Sequence, residues 1–131
     1  MEIKIRGWHT VQKKMFSAEE MATDQLALLP TGSFINVSGD DTRLSEIYPK
    51  DVFIPLLYTG LKDKNGNEGY HKDIVKRLDS LYTLEWHDNL AGWYLQPLGG
   101  GWHGLTKGDF AHMCEIVGST FENPELVGSA I

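Results

Sequence analysis

Asp51-Val52-Phe53-Ile54-Pro55-Leu56-Leu57-Tyr58-Thr59-Gly60 runs directly into Leu61-Lys62-Asp63-Lys64-Asn65-Gly66-Asn67-Glu68, and the fold class follows from how these two stretches join. The first is dense in β-branched, aromatic and aliphatic residues, a composition that packs well on a pleated surface. Pro55 has no N–H to give to a ladder, so the first half of the run belongs at an edge or a bulge. The second stretch reads as a hairpin. Its Asn65-Gly66 pair predicts a type I′ turn, because both residue types tolerate positive φ. A long strand closed by a hairpin makes sheet, not helix, the organising element.

The same pattern extends in both directions. Toward the N-terminus, Ile3 and Ile5 alternate with Lys4 and Arg6 ahead of Trp8, the period of a half-buried strand. Val11 to Phe16 reads as its return strand, after a turn near His9 and Thr10. Ser17-Ala18-Glu19-Glu20 matches a helix capping box, with Ser17 as N-cap and Glu20 reaching back. Leu26-Ala27-Leu28-Leu29 fits either the end of that helix or a strand. Ser33 to Val37 reads as a strand closed by a turn at Ser38-Gly39-Asp40-Asp41, and residues 42–50 as loop. Toward the C-terminus, Asp73–Leu78, Leu81–Trp86 and Gly92–Leu95 read as three strands, and the glycine-rich stretch 97–104 as a loop. Thr106–His112 has room for one helical turn, and Cys114–Gly118 is a last strand. Many short strands at close spacing predict an all-β protein, a small barrel or sandwich with one or two short helices.

With 131 residues the expectation is a single domain over 1–131, with a core large enough to stand without disulfides. One cysteine, Cys114, leaves no intrachain disulfide and no cysteine-based zinc site. No apolar run approaches the roughly 20 residues that cross a bilayer, and the alternating start is unlike a signal or transit peptide. A cytoplasmic protein with no membrane role is expected.

The net charge of −6 argues against a dedicated nucleic-acid binder. Its distribution is uneven. Lys4, Arg6, Lys13 and Lys14 face only Glu2 in residues 1–16, and Lys62, Lys64, Lys72, Lys76 and Arg77 outnumber the acids of residues 60–77. The remaining segments are acidic, including a stretch at 17–50.

Residue types that carry chemistry are present without the spacing chemistry needs. Asp63, Asn65 and Asn67 follow D-x-N-x-N, but an EF-hand loop also requires glycine at its sixth position and glutamate at its twelfth. Those positions hold Glu68 and Ile74, so turn formation accounts for the pattern. Three of the five histidines follow tryptophan, at Trp8-His9, Trp86-His87 and Trp102-His103. Opposite-facing neighbours on a strand predict buried tryptophans and exposed histidines. A metal site would need His71, His87 and His103 to converge, with Glu85 or Asp88 assisting, and no short ligand pair supports that. Gly99-Gly100-Gly101-Trp102-His103-Gly104 lacks the Lys-Ser/Thr of a phosphate loop. Cys114, between Met113 and Ile116, suits a core position better than a nucleophile's. Neither a catalytic residue nor a cofactor or metal ligand is assigned.

Three blocks resemble the YopX-like family of phage and prophage proteins: Ile3-Lys4-Ile5-Arg6-Gly7-Trp8 with Lys13-Lys14-Met15; Tyr58 to Gly66 with Tyr70 and Asp73-Ile74-Val75; and Ile116-Val117-Gly118 with Phe121-Glu122-Asn123-Pro124-Glu125-Leu126. They span the whole chain, with the variable acidic stretch 17–50 lying between the first and second. The resemblance implies an SH3-like barrel with hairpin extensions and transfers no activity. The chain departs from the family pattern at three places: His9 replaces an acidic residue, Gly69 an aliphatic one, and His71-Lys72 a common Glu-Gly.

The functional expectation is a non-enzymatic interaction module that uses exposed aromatic residues to bind a protein partner or a second copy of itself. The alternative is a nucleic-acid-binding barrel whose positive face joins Lys4, Arg6, Lys62, Lys64, Lys76 and Arg77, with Trp8 or Tyr70 stacking on bases. A metal-dependent enzyme is the third reading.

Overall fold

The computed structural model describes residues 2–37 and 47–128. Among these, strands take 46% and helices 14%, so the all-β class holds. The predicted turn at 38–41 and most of the predicted loop at 42–50 lie outside the described residues. The backbone clusters into two compact units, Lys4–Leu57 and Tyr58–Ile131, the latter joined by Met1–Ile3.

In the first unit, β1 (Ile5–His9) pairs antiparallel with β2 (Lys14–Phe16) and with the first half of β5 (Phe53–Lys62). The β1–β2 turn runs over residues 10–13, with Lys13 left-handed at φ 52°, so the return strand is shorter than its apolar pattern predicted. The capping box forms as read. Ser17 Oγ accepts from the Glu20 N–H and Glu20 Oε1 accepts from the Ser17 N–H, opening α1 (Ala18–Thr23). Those bonds, with Lys14 at 3.4 Å, hold the Glu20 carboxyl below its ordinary range. The ambiguous leucine run is a strand, β3 (Leu26–Leu28), paired with β4 (Phe34–Asn36). Phe16, Met21, Phe34 and Phe53 form the core. Gly7 is where that core leaves no room for a side chain, since a Cβ would collide with the Phe53 ring. Pro55 sits opposite Gly7, in the half of β5 whose described ladder runs to β1 alone.

In the second unit, the rest of β5 pairs with β6 (Glu68–Tyr70) across the predicted hairpin. The turn is not type I′. Gly66 has φ 81° but Asn65 does not enter the left-handed region. Gly66 N–H donates to the Asp63 carbonyl and Asp63 N–H to that of Asn67, the pattern of a tight turn followed by a left-handed glycine. The Asp63 side chain explains the preference. It is only 4% exposed, and Oδ1 accepts from the N–H groups of Asn65 and Asn67 while Oδ2 accepts from Ile116 N–H. A carboxylate satisfying three backbone donors selects this turn over the mirror-image one.

A four-stranded antiparallel sheet follows in the order β10-β7-β8-β9, from β7 (Asp73–Arg77), β8 (Ser80–His87), β9 (Gly92–Pro97) and β10 (Cys114–Ser119). Ahead of β10 lies α2 (Lys107–Met113), capped by Thr106 Oγ1 accepting from Asp109 N–H. Val75, Leu84, Leu95, Phe110 and Cys114 are fully buried and pack as one cluster. Burial pushes the Cys114 thiol up to about 11, with Asp109 and Asp63 adding to the shift and Arg77 opposing it. The neutral thiol is therefore a core group, as its sequence setting suggested. A thiol-specific reagent at pH 8 should modify Cys114 only as fast as the protein opens, so adding denaturant should accelerate the reaction in step with unfolding.

The blocks that carry the family resemblance build corners. Gly60, at φ 84°, lies where the β5–β6 register shifts, beside Thr59 Oγ1 donating to the Gly69 carbonyl. Asp73, 1% exposed, turns β6 into β7 by accepting from Tyr70 N–H. Lys72 stands there at φ 73°, a conformation in which the glycine usual at this place would be free of strain. In the third block, Ser119 Oγ accepts from Glu122 N–H and Asn123 Oδ1 from Ser119 N–H. Asn123 lies so close to Gly118 that any side chain there would collide with it.

Candidate functional site

The six basic residues expected to share one face divide between the units. Lys4 and Arg6 belong to the first, and Lys62, Lys64, Lys76 and Arg77 to the second. Within the second unit their charges are largely answered. Arg77 Nε and Nη2 donate to the two carboxylate oxygens of Asp109 at 2.9 and 2.8 Å. Lys64 lies 3.7 Å from Glu115, which faces Lys76 across the β10–β7 register, and Lys62 faces Glu68 across β5–β6. A face built this way presents alternating charge rather than a track of cations for phosphates.

The Arg77–Asp109 pair sets a pH dependence. Hydrogen bonding from Arg77 holds the Asp109 carboxyl below its ordinary 3.8 and raises the Arg77 value. A depressed carboxylate contributes stability above the unfolded-state value and loses it as pH falls through the folded one. Thermal melts between pH 6 and pH 2 should show Asp109→Asn with a shallower loss in acid than the wild type, because this contribution is already gone.

The exposed aromatic groups gather elsewhere, at the far end of the β8–β9 hairpin. Trp86 and Trp93 are cross-strand partners, edge to face at 5.4 Å, and His71 meets Trp93 at 5.5 Å. On the opposite side of the strands, His87 meets Tyr94 at 5.2 Å and Trp102 at 6.2 Å. Trp86 is 45% exposed, Trp102 57%, and Leu90 in the connecting turn 57%. The arrangement is braced. Tyr94 Oη donates to Gln96 Oε1, and Gln96 Nε2 donates to the Pro97 and Gly101 carbonyls, tying the glycine-rich loop to β9. Two backbone bonds between His103 and Leu95 fasten the same loop along the strand. Glu85 is gripped by Lys72 at 2.7 Å and His71 at 3.3 Å. Burial pushes its carboxyl upward, but these two partners outweigh that and leave it below the usual range.

This corrects the expected burial of the Trp-His pairs. Trp8 and His9 are both buried, His9 Nδ1 accepting from Gln12 N–H and its ring packing 5.2 Å from Phe53. Trp86 and Trp102 are exposed instead. Strand alternation predicts only that neighbours point to opposite faces. It does not say which face the core covers, and at the end of the hairpin the core covers neither. His71, His87 and His103 take separate partners, and no three metal-ligating side chains come together among the described residues.

Two sheet-built units, one of them with braced aromatic residues at the end of a hairpin, define an all-β protein. The YopX protein family model matches residues 4–128, and the chain belongs to that family. The crystal structure of protein EF1440 from Enterococcus faecalis is similar over 97% of this chain and 99% of its own, with a TM-score of 0.64 at 21% identity. That likeness concerns fold alone. Among curated proteins, none matches the chain.

Proposed function

We propose that this chain is a non-enzymatic interaction module, an accessory protein of phage or prophage origin acting in the host cytoplasm, and that its contact surface is the aromatic end of the β8–β9 hairpin. The observation that carries this reading is the exposure of two indoles at this end, Trp86 on one side of the hairpin and Trp102 on the braced loop at the other, with Leu90 exposed in the turn between the strands. Aromatic groups are enriched in the centres of protein interfaces, where they bury large areas at low entropic cost. The partner favoured is a second copy of the chain.

The nucleic-acid reading is weaker, because Arg77 is spent on Asp109 and Lys64 lies beside Glu115. Light scattering across a wide concentration range tests the first reading, and association that grows with concentration supports it. Labelled single- and double-stranded DNA and RNA, titrated from low to physiological salt, test the second. Salt-sensitive binding lost on neutralising Lys62, Lys64 and Lys76 would put the basic residues ahead of the aromatic ones.

A further inference from the structure

A second surface lies within the same unit, away from the aromatic hairpin. The tip of the β5–β6 hairpin, the β7–β8 turn and the junction of α2 with β10 enclose an open groove of about 300 Å³, lined by Lys64, Lys76, Leu78, His112, Met113 and Glu115. The lining is mostly polar, with two apolar side chains among it. Leu78 is 63% exposed and Met113 39%. Leu78 also adopts a left-handed backbone at φ 55°, in the two-residue turn between Arg77 and Ser80. Positions of that kind favour asparagine, aspartate or glycine, and a leucine there is both strained and placed in water. A two-residue hairpin calls for positive φ at its first position, so the turn accounts for the backbone but not for the choice of an exposed leucine there.

The rim supplies the sign of the ligand. Lys64 and Lys76 flank the groove with His112, against one acid, Glu115. Glu115 is shared between the lysines, 3.7 Å from Lys64 Nζ and opposite Lys76 in register, so the local balance stays positive. The chain as a whole is acidic, at −6. From this charge complementarity and the two exposed apolar side chains we infer that the groove docks a short acidic peptide segment, one apolar side chain resting on Leu78 and Met113 while flanking carboxylates meet Lys64 and Lys76. The volume lies at the bottom of the range for small-molecule pockets and suits one or two side chains. Methionine adapts to such contacts. A nucleic-acid strand fits less well, since no phenylalanine, tyrosine or tryptophan lines the groove to stack on a base.

The test is a titration of isotope-labelled protein with three probes, followed by amide chemical shifts: a peptide with one leucine between glutamates, its serine-for-leucine analogue, and a single-stranded oligothymidine. The leucine peptide should move the signals of Lys64, Lys76, Leu78 and Met113 together, and the serine analogue should bind at least tenfold more weakly. Lys76→Glu should abolish binding, and Leu78→Asn, whose residue accepts positive φ, should weaken it about tenfold while the protein stays folded. Absence of shifts with the leucine peptide would overturn the inference. So would equal binding of the serine analogue, or stronger perturbation of these residues by the oligonucleotide. Self-association through Trp86 and Trp102 is measured separately and stands or falls independently.

Discussion

Asp63→Ala is expected to cost about 3 kcal/mol or more, enough to lower the urea midpoint severely or prevent folding. A hydrogen bond to a charged group contributes about 1.5–3 kcal/mol, and a buried donor left without a partner costs a further penalty of its own. Asp63 satisfies three backbone N–H groups, those of Asn65, Asn67 and Ile116, while itself almost wholly buried. The first two shape the β5–β6 turn, and the third joins that turn to β10, 53 positions further along the chain. Asp63→Asn keeps one acceptor oxygen and places an amide where the other was, so its loss should be smaller but still large. Asn65→Ala, which leaves all three donors with their acceptor, should be far milder. Equal losses for the asparagine and alanine variants of Asp63 would indicate that only the bonds accepted by one oxygen matter.

The second large effect lies in the core beside β6. Phe110 is fully buried, and the space against its ring exists because residue 69 has no side chain. A Cβ on Gly69 would stand 3.2 Å from the Phe110 ring and 3.2 Å from Leu84 Cδ2. Phe110→Ala should therefore cost about 3–5 kcal/mol through lost burial and a residual cavity. Gly69→Ala alone should cost about 1–3 kcal/mol by overpacking. Combined, the two should be less damaging than their sum, because the new methyl group enters the space the ring has left. A double-mutant cycle in urea measures this, and strict additivity would show that Gly69 and Phe110 do not share the site. The pairing also accounts for this chain's glycine at a place where an aliphatic residue is usual: the ring of Phe110 occupies the volume.

How far these features were legible in the sequence depends on whether they are local. The strands, the capping box at Ser17 and the core position of Cys114 rest on short-range patterning, and the structure bears them out. The Asn65-Gly66 hairpin was placed correctly, but its turn type was not. Asparagine-glycine chemistry favours type I′, and the Asp63 carboxylate decides otherwise by accepting from the Asn65 and Asn67 N–H groups, itself held in place by the long-range bond from Ile116 N–H. No local signal reveals that bond. The return strand after His9 was drawn too long for a similar reason, since Val11 is apolar yet lies in the turn, exposed. The aromatic surface was legible only as a count of tryptophans. Which of them are exposed depends on where the core ends along β8 and β9. Whether Lys4 and Arg6 lie beside the later basic residues is a matter of how two segments lie together in space, which composition does not contain. Charge alternation across strands, such as Glu115 opposite Lys76, became visible only with the register.

If the aromatic end of the β8–β9 hairpin is a contact surface, removing its exposed indoles must abolish association. Sedimentation velocity of the wild type beside a Trp86→Ser/Trp102→Ser variant, from dilute to near-millimolar protein, measures this directly. The wild type should associate as concentration rises, and the variant should remain monomeric with an unchanged β-sheet circular dichroism spectrum. A wild type that stays monomeric throughout, or a variant that associates equally well, would contradict a contact surface there.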